Sequence, residues 1–317
     1  MSLSVNNQPI SQQANRESDD STFLKTAAGI AVGYNTLKDT KKILSKTCGS
    51  QFDKQLKSIS ADEQANNLYK NYFQDAFQKS GLKEKGVEFI NVTESNIDDV
   101  NKNFVEKLYK PFTDKLVNFI TKYGKAEDIE KIKNEIQTGN KKVTNYFRPL
   151  FETIGKAENA MYHPKTKCMY GNSDKISLAL FHEMGHAINS NCKGWKNIIA
   201  KSRIAFLPLV PAILLTSLFK KKKADGEQPK GTMDRITTFV KNNCGILAFA
   251  SMLPTVAEEG LASINANKLA KSVNMNAALR KNMNKCNTKA FGTYVLSAIS
   301  LGLATKFGVW VKDKIAS

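Results

Sequence analysis

Apolar side chains recur at intervals of three and four residues through much of residues 39–156, against a background rich in lysine. The clearest stripes are formed by Leu68, Tyr69, Tyr72, Phe73 and Phe77 and by Phe104, Leu108, Phe112, Leu116 and Ile120. This spacing places the apolar side chains on one face of a helix. We therefore predict a helical region over residues 22–157. A disordered tail is predicted over residues 1–21, where Ser, Asn and Gln are frequent.

The helical region begins with a short run of small residues, Phe23 to Tyr34. Gly29 and Gly33 in this run have the spacing that permits close helix packing. The uncharged part of the run is too short to cross a bilayer, so we predict a packed or interfacial helix. A loose membrane anchor is the alternative.

Three uncharged runs occupy residues 204–219, 242–257 and 290–305. Each falls a few residues short of the roughly twenty that an untilted membrane helix needs. Lysines at the ends can extend the effective length by placing their ammonium groups at the membrane interface. We predict that the first two runs form a helical hairpin in or on a membrane, with buried core helices as the alternative.

The loop between these two runs, residues 220–241, contains seven basic and three acidic residues. This excess of lysine and arginine favours the cytoplasmic face of a cytoplasmic membrane. The candidate site described below also has basic flanks, so the side of the membrane on which it opens stays undetermined.

A β element is predicted just ahead of residue 172. Pro164 and Gly171 bound a short run that suits a turn followed by an edge strand. Such a strand could bind an extended peptide through its backbone groups. A plain surface hairpin explains the same residues equally well. The expected fold class is mainly α with a small β element.

Composition narrows the possible partners. The formal net charge is +18, and lysine supplies most of it. We find no nucleic-acid motif, so the charge is better explained by an anionic membrane surface than by nucleic acid. The five cysteines contain no C-x-x-C pair, which argues against a disulfide framework. The polar, partly acidic N-terminus argues against a cleaved secretory signal, and none is predicted.

The candidate chemistry lies in His182-Glu183-Met184-Gly185-His186. Residues four apart share one face of a helix, so His182 and His186 can bind one metal ion. Glu183 lies where its carboxylate can reach a water on that metal, as in the H-E-x-x-H motif of zinc peptidases. The chain has only three histidines, which makes a chance match less convincing.

A catalytic zinc usually takes a third protein ligand. The segment Val256–Ser263 contains Glu258 and Glu259 directly after an apolar run. Two adjacent carboxylates there would be costly to bury without a partner, and a cation would stabilise one of them. A solvated helix start, in which acidic residues offset the helix dipole, is an equally good explanation.

The order of these motifs resembles the gluzincin metallopeptidases, and more narrowly their membrane-embedded prenyl-protein protease and heat-shock membrane protease group. The resemblance covers roughly residues 158–270. It implies a zincin-like core, one Zn²⁺ per chain and Glu259 as the third ligand. The family has an aspartate at the position of Ser263, where it orients a ligand histidine; the serine weakens that expectation. Asn159-Ala160 is similar to the strand segment that precedes the metal helix in the family.

The resulting prediction is a zinc-dependent endopeptidase at or in a membrane, with its metallopeptidase region over residues 158–317 and a peptide or protein as substrate. Glu183 would be the general base. Tyr170, His163 and Tyr162 are candidates for binding the oxyanion or the substrate strand, by position only. Two alternatives stay open: an inactive zinc-binding membrane protein with the same fold, and a basic membrane- or nucleic-acid-binding helical protein in which the motif is accidental.

Overall fold

The computed structural model describes residues 63–124, 126–206, 208–220 and 227–315. The predicted tail over 1–21 and the small-residue helix at Phe23–Tyr34 lie outside these ranges. The elements in chain order are α1 (Glu63–Lys79), β1 (Glu88–Asn91), α2 (Ile97–Tyr123), α3 (Ala126–Gly155), β2 (Met161–His163), β3 (Cys168–Gly171), α4 (Leu178–Asn191), α5 (Trp195–Phe206), α6 (Leu209–Phe219), α7 (Gly231–Asn242), α8 (Cys244–Ser272) and α9 (Ala277–Ile315).

The predicted class, mainly α with a small β element, is confirmed. The helical stripes of residues 39–156 that fall in the described ranges form α1, α2 and α3. One strand, β1, interrupts this region where only helix was expected. Its four residues lie after Gly81 and Gly86, which both adopt positive φ and turn the chain out of α1.

The three strands form one sheet in the order β1-β3-β2. β2 and β3 are an antiparallel hairpin, with Tyr162 opposite Met169, and β1 pairs with β3 in parallel, with Ile90 opposite Tyr170. The strand that follows the Pro164 turn is therefore the central strand of the sheet. The expectation of an edge strand there was wrong, because β1 arrives from the N-terminal region and covers its other side. The edge strand beside the hairpin turn is β2.

Neighbouring residues of the hairpin point to opposite faces of the sheet, as strand geometry requires. Tyr162 and Met169 belong to an apolar cluster with α1 and α4, which includes Tyr69, Phe73, Phe181 and Met184. Cys168 and Tyr170 belong to a second cluster with α2 and α3, which includes Phe104, Phe151 and Ile154. The sheet thus separates two apolar clusters, and only the first contains residues of α4.

The described chain divides into two compact units. The first, here called the core unit, comprises residues 63–200 and 257–291. The second, called the apolar unit, comprises residues 201–256 and 292–315. The core unit contains the sheet and both apolar clusters described above.

Three helical segments are long and apolar enough to cross a membrane: Trp195–Phe219, Cys244–Ser272 and Ala277–Lys314. Little of their apolar surface is covered by protein. In an apolar stretch of 18 residues within each segment, only 6%, 28% and 33% respectively is buried. The first and third uncharged runs lie inside these longer segments, and the second begins two residues before Cys244. Core helices would bury most of that surface, so the exposure favours membrane association over the alternative of buried core helices.

Candidate metal centre

The H-E-x-x-H motif lies on α4, a helix with mostly apolar side chains. Leu180, Phe181, Met184 and Ala187 are fully buried and fix the rotation of this helix in the core unit. That rotation places the two histidines on one face. Their Nε2 atoms are 3.0 Å apart.

Glu259 approaches the same point from α8. Its Oε2 lies 3.0 Å from His182 Nε2 and 3.5 Å from His186 Nε2. The backbone geometry explains how it gets there. A Cβ atom at Gly185 would lie only 2.2 Å from the carbonyl oxygen of Ala262, so the glycine permits a very close crossing of α4 and α8.

These three atoms could hold a metal ion. Tetrahedral zinc, with bonds of about 2.0–2.2 Å to nitrogen and oxygen, requires ligand atoms separated by roughly 3.3–3.5 Å. The observed separations of 3.0–3.5 Å come close to this requirement. His182, His186 and Glu259, the three residues expected as ligands, are thus brought together.

The opposite sides of the two imidazoles are held by different groups. His186 Nδ1 lies 2.7 Å from Glu258 Oε1 and 2.6 Å from Glu258 Oε2. His182 Nδ1 lies 3.3 Å from Ser263 Oγ, which itself donates a hydrogen bond to the Glu259 carbonyl oxygen at 3.0 Å. Both Nδ1 atoms therefore have an acceptor. These contacts favour the tautomer in which Nδ1 carries the hydrogen and each Nε2 presents a lone pair.

Three lone pairs that converge within 3.5 Å repel one another unless a positive charge lies among them. The surrounding carboxylates produce a negative electrostatic potential that attracts such a positive charge. Burial by itself would lower the pKa of His186, but Glu183, Glu258 and Glu259 together raise that pKa to about 10. The cluster thus favours a proton or a metal ion at the imidazoles, and a metal ion can satisfy all three lone pairs at once.

Glu183 lies beside the cluster and is held by the hairpin. Its Oε2 accepts a hydrogen bond of 2.7 Å from the Tyr162 backbone N–H of β2. Burial raises the pKa of Glu183, and the two imidazoles and the Tyr162 amide oppose that rise only in part. A carboxyl group with a raised pKa is better suited to exchange protons near neutral pH.

The structure locates the three predicted oxyanion or substrate residues as follows. Tyr170 is fully buried and packs edge-on against Phe104 and Phe151, in the cluster that contains no residue of α4. His163 also packs against Phe104, with its Nδ1 3.2 Å from Thr166 Oγ1. Both side chains thus point to the sheet face opposite α4, and their positions give no support to a role at the metal.

Tyr162 does face α4, but its hydroxyl accepts a hydrogen bond of 2.7 Å from Asn191 Nδ2. It is the backbone amide of Tyr162, and not its hydroxyl, that contacts the candidate site. Ser263 was expected to leave a ligand histidine with weak support. It does contact His182, because its neutral hydroxyl oxygen lies 3.3 Å from His182 Nδ1.

The role of Glu258 as the partner of His186 was not predicted from the sequence. The available signal was the adjacent pair Glu258-Glu259, since two neighbouring carboxylates entering a largely apolar core both require a partner. The resemblance pointed to Glu259 for the metal and left Glu258 without a role. No family model matches this chain, and neither a curated protein nor a solved structure does.

Proposed function

We propose that the protein is a zinc-dependent endopeptidase with a zincin-like core that acts at or in a membrane. The observation that carries the proposal is the triangle of His182 Nε2, His186 Nε2 and Glu259 Oε2 with the Glu183 carboxylate next to it. Two imidazoles and one carboxylate are a common set of three protein ligands in a hydrolytic zinc site, where water takes the fourth position. Zinc fits this mixed nitrogen and oxygen set better than magnesium or calcium, which prefer oxygen alone.

A zinc ion bound there would polarise the scissile carbonyl and lower the pKa of its water towards roughly 7. The chain's own residues would do the rest. Glu183 would accept the proton of the attacking water and donate it to the leaving amine nitrogen. The Tyr162 amide, by holding one carboxylate oxygen, would keep Glu183 oriented during both transfers.

An extended peptide is the substrate that the sheet favours. β2 is an edge strand, and the N–H of Tyr162 contacts Glu183 instead of the neighbouring strand. The edge of β2 that β3 does not occupy therefore borders the candidate base. An extended substrate that lies along this edge would have its backbone next to Glu183, while the Tyr162 N–H stays bound to the Glu183 carboxylate.

The three long apolar segments support a location in or on a membrane. Ser263 is the feature that favours the second candidate, an inactive zinc-binding membrane protein. A neutral hydroxyl at 3.3 Å orients His182 less firmly than a carboxylate would, and this could weaken metal binding or turnover.

The test compares the wild-type protein with the Glu183→Gln variant, both purified as full chains in detergent. Each is given an unfolded protein substrate and a library of quenched peptides, and zinc is quantified in both. We expect the variant to keep its zinc and to lose cleavage by about 10²–10⁴-fold, the range of a general base. Cleavage that persists in Glu183→Gln would contradict the proposed role. Bound zinc without cleavage in the wild type would favour the inactive alternative.

A further inference from the structure

The two candidate ligand histidines are supported by chemically different partners. Glu258, only 1% exposed, places both carboxylate oxygens within 2.7 Å of His186 Nδ1. Ser263 offers His182 a hydroxyl oxygen at 3.3 Å. One histidine therefore has a short bond to an anion, and the other has a long contact with a neutral group.

This difference has consequences for metal binding. A hydrogen bond from Nδ1–H to a carboxylate fixes the ring orientation and makes Nε2 a better electron donor. Such a charge-assisted bond is about twice as strong as a bond between neutral groups. The Ser263 hydroxyl provides much less of either effect, since it is neutral and lies 3.3 Å from His182 Nδ1.

Glu258 is placed to orient a ligand, not to act as one. Its oxygens lie at the Nδ1 side of His186, whereas the converging ligand atoms include the Nε2 of the same ring. The two adjacent glutamates thus have separate roles, because Glu259 reaches the Nε2 atoms and Glu258 reaches the far side of one ring.

We propose that Glu258 is a positioning residue that makes His186 the dominant of the two histidine ligands, with His182 the weaker one. The inference rests on the metal-binding part of the proposed function and is independent of peptidase activity. It predicts that zinc affinity depends strongly on Glu258 and weakly on Ser263. It also predicts that a carboxylate at position 263 would increase the affinity.

The experiment measures zinc affinity by competition with a chromophoric chelator for the full chain in detergent. The variants are Glu258→Gln, Ser263→Ala, Ser263→Asp and the double variant Glu258→Gln with Ser263→Asp. We expect Glu258→Gln to weaken zinc binding by about 10–100-fold, and Ser263→Ala to weaken it less. Ser263→Asp should tighten binding, and in the double variant it should restore part of the loss.

Two results separate positioning from a purely structural role. Helical content measured with excess chelator shows whether each variant folds. Because Ser263→Asp is expected to gain affinity, misfolding cannot imitate that result.

The outcomes also distinguish this inference from the proposed function. Unchanged affinity in Glu258→Gln, or greater sensitivity to Ser263→Ala than to Glu258→Gln, would overturn the role of Glu258 and leave the metal site intact. A wild-type protein that binds no zinc would overturn both.

Discussion

The two units each bury a polar cluster, and the clusters differ in how their hydrogen bonds are satisfied. In the apolar unit, the ammonium groups of Lys241 and Lys312 both donate to the Lys220 carbonyl oxygen, at 2.8 and 3.0 Å. Lys241 also donates to Asp313 at 2.7 Å. Each of these contacts joins a donor to an acceptor, and we call the cluster matched in this sense. It closes the C-terminal end of α6, where carbonyl groups lack helical partners.

The cluster of the core unit is different, because its central atoms are two imidazole nitrogens and a carboxylate oxygen. The far sides of both imidazoles already have partners, so acceptors face acceptors at the centre. A matched cluster in this sense is typical of structural support. A cluster of converging acceptors requires a positive charge and therefore indicates a binding site.

The largest effect is expected when one of the three converging acceptors of the core unit is removed. We expect His186→Ala to weaken zinc binding by more than about 100-fold, since it removes a ligand and leaves only two. His163→Ala is the matched control, because His163 lies on the other face of the sheet against Phe104. Zinc content after gel filtration measures both. Equal losses in the two variants would contradict the assignment of the site.

The close crossing of α4 and α8 can be tested by adding one methyl group. Gly185→Ala would place a Cβ atom 2.2 Å from the Ala262 carbonyl oxygen, and the helices would have to separate. We expect a loss of about 3 kcal/mol in stability, together with weaker zinc binding. Thermal unfolding in detergent provides the measurement.

Gly139 in α3 supplies the control for that substitution. A Cβ atom there would meet nothing within 4 Å. Gly139→Ala should therefore stabilise the protein by roughly 0.5–1 kcal/mol, through the better helix propensity of alanine. If both variants were equally stable, the helix crossing would not be as tight as described.

The matched cluster of the apolar unit should affect stability and not metal binding. Lys241→Met removes a buried ammonium that donates to the Lys220 carbonyl and to Asp313. We expect a cost of about 2 kcal/mol, in the range for hydrogen bonds to charged groups. Zinc stoichiometry should equal that of the wild type. A loss of zinc in this variant would show that the two clusters are not independent.

The smallest effect is expected at Tyr170. Its ring packs among Phe104 and Phe151, on the sheet face away from α4. Tyr170→Phe keeps that packing, so stability should change by less than about 1 kcal/mol. Peptide cleavage should also be unchanged. A drop in cleavage comparable to that of Glu183→Gln would restore Tyr170 as a candidate oxyanion donor.

Features of the fold and the site could be predicted from the sequence where the residues that form them lie close together in the chain. His182, Glu183 and His186 lie within one helical turn, so the helix repeat alone relates them. The apolar segments were predicted from uncharged runs, which are equally local. The second and third runs understate the lengths of α8 and α9, because polar residues continue each helix beyond its apolar part. The third ligand needed the resemblance to a family, since Glu259 lies 73 positions after His186 in the chain.

The features that were missed depend on orientation. Whether Tyr162 or Tyr170 faces α4 depends on which face of the sheet the helix covers, and a single strand pattern does not contain that information. β1 pairs with β3 from a distant part of the chain, so the central position of β3 could not be anticipated. The role of Glu258 depends on the direction of one side chain relative to an imidazole, which residue spacing does not determine.

X-ray absorption at the zinc K edge of the purified, zinc-loaded wild-type protein tests the central claim most directly, because it identifies the ligands themselves. The account predicts a shell of nitrogen and oxygen atoms near roughly 2.0–2.1 Å, with the outer-shell signature of two imidazoles. One imidazole should disappear in His186→Ala. A sulfur shell near about 2.3 Å, or a protein that takes up no zinc, would contradict the claim.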